Sequence, residues 1–546
     1  VEHEGESFLT ITLPLFAKAL EKGLDTSVWP RHDLTGFRHV RGLPSFLSGF
    51  LTRVFSKQGV LLDEPDAEAI WAVRQVCNLT GKMDRACSPD REEQAMMSFI
   101  ETDQKLAEHF DEGIPESDWR IFDRHAIALF GDLFNWLETK VASFDLIPGH
   151  GPGAVADRLD HPQRWEFDYW TERLDAVFPR WRYAQNLPQW HSSDLVTHED
   201  EIPVRVVSVP KTQAKPRIIA IEPSTMQYAQ QGLKKEIYAY VRKSPLNAIL
   251  GFTDQTRNQR LAMQSSVNGS LATLDLSEAS DRVHATLVER LLYRWPHVLD
   301  FVMATRSRNA NVNGEVIPLA KFASMGSALT FPIEAIVFTV IASMGMSGGR
   351  NPAPVAQLRD VLSVYGDDII VPTDRVADVV HYLESFGFKV NRHKSFWNGK
   401  FRESCGKEYY DGTDVSVVRL RADVPTSRRD AALIRRFTDF RNRCYRAGLW
   451  QTVKEVDVML SSIMSIPHRH MEDQITSPAS VLAFDTVNPV RWRARYNEDL
   501  QRWEERFPSV RATPRPYQVD GAGGVLKWFL ENHERSVDFQ HDAFES

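Results

Sequence analysis

The sequence has little cysteine, no uninterrupted apolar run of membrane-spanning length and no overall excess of positive charge. Its four cysteines, Cys77, Cys87, Cys405 and Cys444, form no Cys-x-x-Cys pair and no Cys/His spacing of the zinc type. That excludes a disulfide scaffold and predicts free thiols in a reducing compartment. The most apolar stretch, 328–346, is interrupted by Pro332 and Glu334, so a buried core helix is expected there rather than a membrane span. The first residues, Val-Glu-His-Glu, carry no basic segment followed by an apolar one. No secretory leader is expected, the absent initial Met predicts processing or trimming, and Asn78-Leu79-Thr80 reads as a chance glycosylation sequon. Basic residues number 65 against 73 acidic ones, a net charge of −8, which taken as an average argues against a nucleic-acid partner. The Gly/Pro run from Pro148 to Gly153 lacks the Gly-Lys-Ser/Thr of a phosphate-binding loop and reads as a structural boundary.

What is present is a globular composition, 42% hydrophobic and 25% charged over 546 residues, enough for about three to four domain-sized units or one multi-lobed enzyme. Residues 1–145 read as helical. Apolar residues from Phe122 to Leu137 mark one helix face, and a second helix is predicted after Pro65, capped by Asp63 or Asp66, with Ile70, Val73 and Cys77 inward. From Val204 short β-type runs take over: "VRVVSVP", "RIIAIEP", "LATLDLS" and "VLSVYGDDIIVP". Helical patterns lie between them at Ala279–Trp295, Ala328–Met344 and Val376–Phe386. Strands alternating with helices, plus one hairpin, predict an α/β or α+β core with an antiparallel element.

The hairpin carries the chemistry. Two β-branched runs flank Gly366-Asp367-Asp368, which places both aspartates at or beside a tight turn. Adjacent carboxylates repel, and a divalent cation such as Mg²⁺ would relieve that repulsion; a solvated turn is the alternative. In Leu271-Ala-Thr-Leu-Asp275 an apolar strand delivers an acid at its end, for which a ligand or a helix cap would account. Three carboxylates from two strands suit two metals about 3.5–4 Å apart in phosphoryl transfer. Nuclease and polymerase both fit at this point. Upstream, Lys211, Lys215 and Arg217 lie in a Pro-stiffened turn before an apolar strand, where they would clamp a triphosphate or departing pyrophosphate. From Arg205 to Arg260 there are ten basic residues against three acids; a solvated basic face is the alternative.

The ordered motifs "VPK…RIIAIEP", "DQTRNQR", "GSLATLDLSEASD", "SMG..LTF..E..VF", "VYGDDIIVP" and "FRESCGKEYYDGTDV" resemble the replicase subunit of the leviviruses, the single-stranded RNA bacteriophages. The resemblance spans about Val209 to Val415. It implies an α+β right-hand polymerase: an N-terminal helical region (1–145), fingers (146–268), a palm of antiparallel sheet plus helices with a fingers insertion (269–415), and a thumb with the C-terminal region (416–546). It implies RNA-directed RNA synthesis in the cytoplasm of a bacterial host, with Asp275, Asp367 and Asp368 holding two Mg²⁺ ions and Mn²⁺ able to substitute. Asp281 would sense the ribose 2′-hydroxyl, although a first-turn helix acid is the alternative. Ser324, Gly326 and Ser327 would form the loop that positions template and ribose. In that loop the family's Asn-Gly after Met-Gly is replaced by Ser327-Ala328, and Pro332 enters the next helix, where it is tolerated as a first-turn residue.

Lys394, with His393 as second choice, matches the position that supplies a general acid for pyrophosphate; a surface lysine is the alternative. Cys405 is expected only to pack. Implied partners are RNA template and product, ribonucleoside triphosphates, host elongation factors Tu and Ts and a ribosomal protein. Reverse transcriptase, a metal-dependent nuclease and a non-catalytic RNA-binding protein are the rivals. Nine arginines against three aspartates in Arg419–Arg446 would hold a product duplex by its phosphates; a helix bundle with exposed arginines is the alternative. Trp492, Tyr496, Trp503, Tyr517 and Trp528 would include a base-stacking platform, or else core residues. The acidic total therefore conceals basic excess at 205–260 and 419–446, which marks the expected RNA path.

Overall fold

A computed structural model of the chain describes residues 4–30, 36–184, 195–464, 468–470, 481–483, 494–505, 519 and 521–542. Helix α1 (Leu13–Thr26) buries Phe16, Leu20 and Leu24, and α2 (Ala67–Asn78) buries Ile70, Val73 and Cys77, each along one face. Asp66 caps α2, accepting from the amides of Glu68 at 2.8 Å and Ala69 at 3.1 Å, and Asp63 takes no part. Two longer helices follow, α3 (Pro89–Glu112) and α4 (Glu116–Ala142). The α4 face from Phe122 to Leu137 is buried as its spacing predicts.

Strands β1 (Val204–Val209) and β2 (Arg217–Ile221) pair antiparallel, with Val209 opposite Arg217. After α5 (Ser224–Lys243) and α6 (Thr256–Asn268) the chain forms β3 (Leu271–Leu274), leaves it at Asp275 and resumes as β4 (Leu276–Ser277). The single strand expected over this stretch is thus two. The helix expected from Ala279 to Trp295 is divided as well: a 3-10 turn at Ala279–Arg282 precedes α7 (Ala285–Leu292). Val283 between them is extended, its carbonyl accepts from the Phe322 amide at 2.6 Å, and the Ala285 amide donates to Ala320 at 3.0 Å. Pairing with a distant segment overrides local helix propensity here.

Helix α8 (Pro296–Thr305) leads into the hairpin β5 (Asn309–Val312) and β6 (Glu315–Pro318). These complete a four-stranded sheet of order β2-β1-β5-β6, parallel only between β1 and β5. Met96 and Phe99 of α3 pack against it. Helix α9 (Thr330–Ser347) is apolar all round and long enough to cross a membrane, yet 83% of it is buried inside the protein. It is the core helix expected from the sequence, with Pro332 in the first turn. Strands β7 (Ser363–Tyr365) and β8 (Asp368–Pro372) form the hairpin, and β8 lies between β7 and β3 in an antiparallel sheet. Helix α10 (Val376–Ser385) packs on α9, and β9 (Lys389–Val390) pairs with β4.

A second antiparallel sheet, β10 (Phe401–Ser404), β11 (Lys407–Tyr410) and β12 (Thr413–Asp414), shares a core with α1 and α2 through Phe401, Tyr410 and Val415. Helices α11 (Ala431–Arg446) and α12 (Trp450–Ile463) pack together beyond it. All four cysteines are free.

Arg74 ties the N-terminal helices to this second sheet. Its side chain is fully buried, with Nε 2.9 Å from Glu21 and Nη2 2.6 Å from Glu408. Removing one member of a buried ion network leaves the others dehydrated and unpaired. Arg74→Met is therefore expected to lower stability by about 3–5 kcal/mol, read as a fall in the urea midpoint with an unchanged slope.

Candidate active site

In the β3–β8 pairing Leu274 lies opposite Ile369, so Asp275, one residue beyond the first, meets Asp368, one residue before the second. Strand geometry alone brings these two carboxyl-bearing residues together. Asp368 also pairs with Tyr365, which leaves Gly366-Asp367 as a two-residue turn. Gly366 has φ of +58° and Asp367 has no positive φ, the pattern of a II′ hairpin. A Cβ at Gly366 would also lie 2.6 Å from the Phe331 ring. Asp367 is exposed at the tip while Asp275 and Asp368 are half-buried.

Each buried carboxylate is held by different elements. The Asp275 side chain accepts from Asn391 Nδ2 at 2.9 Å and Lys394 Nζ at 3.3 Å. Its amide donates to Ser395 Oγ at 3.1 Å, and its carbonyl accepts from the Asn391 amide at 2.8 Å. Burial raises the Asp275 carboxyl above the usual carboxylate range; Lys394 alone would lower it, but burial together with Asp367 outweighs the ion pair. Burial opposes charge on Lys394 too, yet Asp275 and Glu403 hold its ammonium above the ordinary lysine range. Burial, then Asp367 and Asp275, push Asp368 up to about 7.

Asp368 accepts from the Cys405 amide at 3.3 Å and Ser404 Oγ at 3.4 Å. Cys405 and Gly406 both have positive φ in the turn between β10 and β11, a I′ arrangement that aims the Cys405 amide at Asp368. Cys405, expected only to pack, thus touches the site through its backbone. Asp25, at the end of α1, accepts from the amides of Trp397 at 3.1 Å and Asn398 at 3.0 Å. It thereby fixes the segment that carries Asn391, Lys394 and Ser395. Neither contact has a local sequence signal, because both join segments far apart in the chain.

The basic residues divide. Lys211 is exposed, yet the protein around it lowers its ammonium, with Arg217 and Lys394 adding to the effect and Asp367 and Asp275 opposing it. Arg217 opens β2 and is exposed. Lys215 Nζ instead lies 3.1 Å from Glu278, which also pairs with Arg282 at 3.3 Å. His393 is exposed, and its amide donates to Asn391 Oδ1 at 3.2 Å.

Asp281 and Ser324 meet directly, Ser324 Oγ donating to Asp281 Oδ1 at 2.8 Å. At Gly326 φ is +137° and a Cβ would fall 1.9 Å from the Ala220 carbonyl, so the loop lies flat against β2 and only glycine fits. Ser327 Oγ donates to Gln230 at 3.1 Å and accepts from the Leu329 amide at 3.2 Å, turning its hydroxyl toward α5 and the start of α9. Glu334, in the second turn of α9, is buried, and its Oε2 has no hydrogen-bond partner. Burial, then Asp367 and Asp281, raise its carboxyl well above the ordinary value, and its Oε1 lies beside the hairpin turn, 3.6 Å from where a Cβ at Gly366 would stand.

The donor chemistry at Asp275, Asp367 and Asp368 suits a hard cation, since all three offer carboxylate oxygens and two have raised values that such a charge would reverse. Among the described residues no three His, Cys, Asp or Glu side chains converge as a metal site. Mg²⁺ is commonly held by only one or two carboxylates and keeps positions for water and substrate phosphates.

Several of the arginines expected to line a duplex are engaged inside the protein. Arg441 is buried and pairs with Asp457 at 2.8 Å, Arg443 with Asp439 at 3.0 Å and Arg419 with Glu408 at 3.3 Å. Arg429, Arg435 and Arg446 are exposed. Tyr496 and Trp528 are exposed, Trp503 lies in a short strand opposite Tyr496, and Trp492 and Tyr517 lie outside the described residues.

The family profile described as RNA replicase, beta-chain matches residues 178–498. The chain is 38% identical over 250 residues to the RNA-directed RNA polymerase beta chain of Enterobacteria phage fr, covering 46% of this chain and 43% of the relative. It is 36% identical over 219 residues to the RNA-directed RNA polymerase beta chain of Escherichia phage MS2, covering 40% and 38%. The matched part thus spans about two fifths of the length of these curated relatives. A crystal structure of the RNA-dependent RNA polymerase of a human picorbirnavirus is similar at 13% identity and a TM-score of 0.35, over 44% of this chain and 52% of that one; a likeness at that level carries no weight here.

The raised carboxyl of Asp368 has a sign that can be measured. A group protonated in the folded protein and ionised in the unfolded one contributes stability that is lost as pH rises from its unfolded value, near 4, through its folded value of about 7. Without divalent metal, Asp368→Asn is expected to gain stability relative to wild type across that window and to level off above it, in urea melts taken at successive pH values.

Proposed function

The chain belongs to the RNA replicase beta-chain family, and on that premise we propose that it carries out RNA-directed RNA synthesis, copying a phage RNA genome in the cytoplasm of a bacterial host. The observation that carries this reading is the strand register that sets Asp275 against Asp368, with Asp367 on the adjoining turn. In this reading residues 269–415 form the palm of a right-handed polymerase, 146–268 the fingers and 416–546 the thumb and C-terminal region, with 1–145 a helical region bound to the palm.

Asp275, Asp367 and Asp368 would hold two Mg²⁺ ions, for which Mn²⁺ would substitute. The chemistry that two such cations supply when bound is activation of the attacking 3′-hydroxyl and stabilisation of the leaving oxygen. The protein's own groups do the rest. Lys211 and Arg217 would clamp the triphosphate, with Lys215 joining them once released from Glu278, since fixed cations offset charge that metal leaves over. Lys394 holds its proton beside Asp275, where a departing pyrophosphate would be protonated. Asp281 would accept the 2′-hydroxyl of the incoming ribonucleotide, and the Ser324-Gly326-Ser327 loop would shape the pocket around it. RNA template and product would run along the basic segments. Host elongation factors Tu and Ts and a ribosomal protein belong to the same reading as accessory partners.

The reading is tested by nucleotide incorporation on an RNA template with Mg²⁺ and bacterial extract. Wild type is expected to incorporate ribonucleotides, and Asp275→Asn or Asp367→Asn to lower incorporation by at least about a hundredfold. Degradation of RNA in the absence of nucleotides would favour a nuclease, and preferential use of deoxynucleotides a reverse transcriptase. Full activity of Asp367→Asn would end the reading.

A further inference from the structure

Lys321 is an ammonium group with no exposure to solvent, and it stands outside every motif recognised in the sequence. Its Nζ lies 3.1 Å from Asp281 Oδ1, 4.0 Å from Asp103 Oδ1 and 3.4 Å from the centre of the Phe99 ring. Asp103 and Phe99 both belong to α3. Asp103 also accepts from the amides of Ala320 and Lys321, each at 2.9 Å, so one carboxylate fixes the backbone from which the lysine reaches. A dehydrated lysine persists only where opposite charge and ring electrons surround it, and here that enclosure comes from the N-terminal helix on one side and Asp281 on the other.

The hydrogen bonds on Asp281 are one-sided. Lys321 Nζ and Ser324 Oγ both donate to Oδ1, at 3.1 and 2.8 Å. Oδ2 accepts from no described residue, while the side chain keeps 19% of its exposure. Two donors on one oxygen hold the carboxylate against turning about its Cβ–Cγ bond and leave the other oxygen without a donor among the described residues. Glu334 of α9 lies beside the hairpin turn, its Oε1 3.6 Å from where a Cβ at Gly366 would stand, and the 3-10 turn that carries Asp281 packs on the same helix. Ser327, the loop residue that replaces the family's Asn, is turned to Gln230. In this chain the polar contact to a sugar would therefore come from Asp281.

We propose that Lys321 is a positioning residue for sugar selection, seated by α3 and holding Oδ1 of Asp281 together with Ser324, so that Oδ2 meets the 2′-hydroxyl of an incoming ribonucleotide. The proposal rests on the polymerase reading and deepens it. A deoxynucleotide leaves Oδ2 without a donor, and a desolvated acceptor without a partner is disfavoured. Once Oδ1 is released the carboxylate turns, the ribonucleotide loses its advantage, and the deoxynucleotide, which never used the contact, is unaffected.

The experiment compares kcat/KM for ATP and dATP on an RNA template with Mg²⁺, in wild type, Lys321→Met, Lys321→Arg and Ser324→Ala, with thermal melts of each. The expected result is a fall of about tenfold or more in kcat/KM for ATP in Lys321→Met and Ser324→Ala, little change for dATP, and partial recovery in Lys321→Arg. General damage to the fold would lower both substrates together, and that outcome in Ser324→Ala overturns the proposal, as does an unchanged ATP/dATP ratio. If Lys321→Met does not fold, Ser324→Ala, which removes only a hydroxyl from the same oxygen, decides the matter. Wild type that incorporates neither nucleotide removes the polymerase reading and the proposal with it; wild type that prefers ATP while both variants keep its preference removes the proposal alone.

Discussion

Asp275 and Asp368 face each other across two hydrogen-bonded strands, Asp367 follows on the turn, and Glu334 is buried close by. Like charges at such range repel, and partial burial makes each harder to ionise. Left to themselves the strand ends would separate. What prevents this is covalent and hydrogen-bonded geometry: a two-residue turn that admits glycine at Gly366, a β8 strand with partners on both edges, and an apolar helix packed behind. The repulsion is therefore held in place by the fold.

The groups that hold these carboxylates come from far along the chain. Asn391 and Lys394 follow β9, Ser404 and Cys405 belong to another sheet, and Asp25 and Asp103 belong to the N-terminal helices. Here Asp25 anchors the segment carrying Lys394, Arg74 bridges to Glu408, and Asp103 seats Lys321, so three buried or half-buried polar ties run from the first hundred or so residues into the site. Buried polar ties of this kind are directional, and they specify one relative placement where apolar contact alone would allow several.

Much of this was legible in the sequence where the signal is local. An apolar run ending in Asp275, β-branched runs around Gly366-Asp367-Asp368 and the spacing of apolar residues in α4 each reflect the conformation of a few neighbouring residues. The interrupted helix at Val283 was not legible, because the interruption comes from hydrogen bonds to Ala320 and Phe322, and propensity does not register those. Lys321 was missed for a related reason: a lysine in a sequence looks solvated, and only the arrival of Asp103, Asp281 and Phe99 makes it a buried charge. One arginine of α11 departs in the opposite sense. Arg435, Arg436 and Arg446 are exposed as a stripe would be, yet Arg441 turns inward to Asp457, since charge periodicity alone does not reveal which side of a helix is covered.

The carboxylate of Asp25 gripping the amides after Phe396 has a consequence for how such a chain can be recombined. A segment boundary drawn after the N-terminal helices would look natural from the order of elements, since most of the recognised motifs lie beyond it. Exchanging that segment between relatives would separate Asp25 from the turn it organises and Arg74 from Glu408 on β11. The smallest exchangeable unit is discontinuous in sequence, comprising the first helices together with the stretch from Lys389 to Val415. Inheritance of this site is expected to proceed by whole-chain descent more readily than by the shuffling of parts.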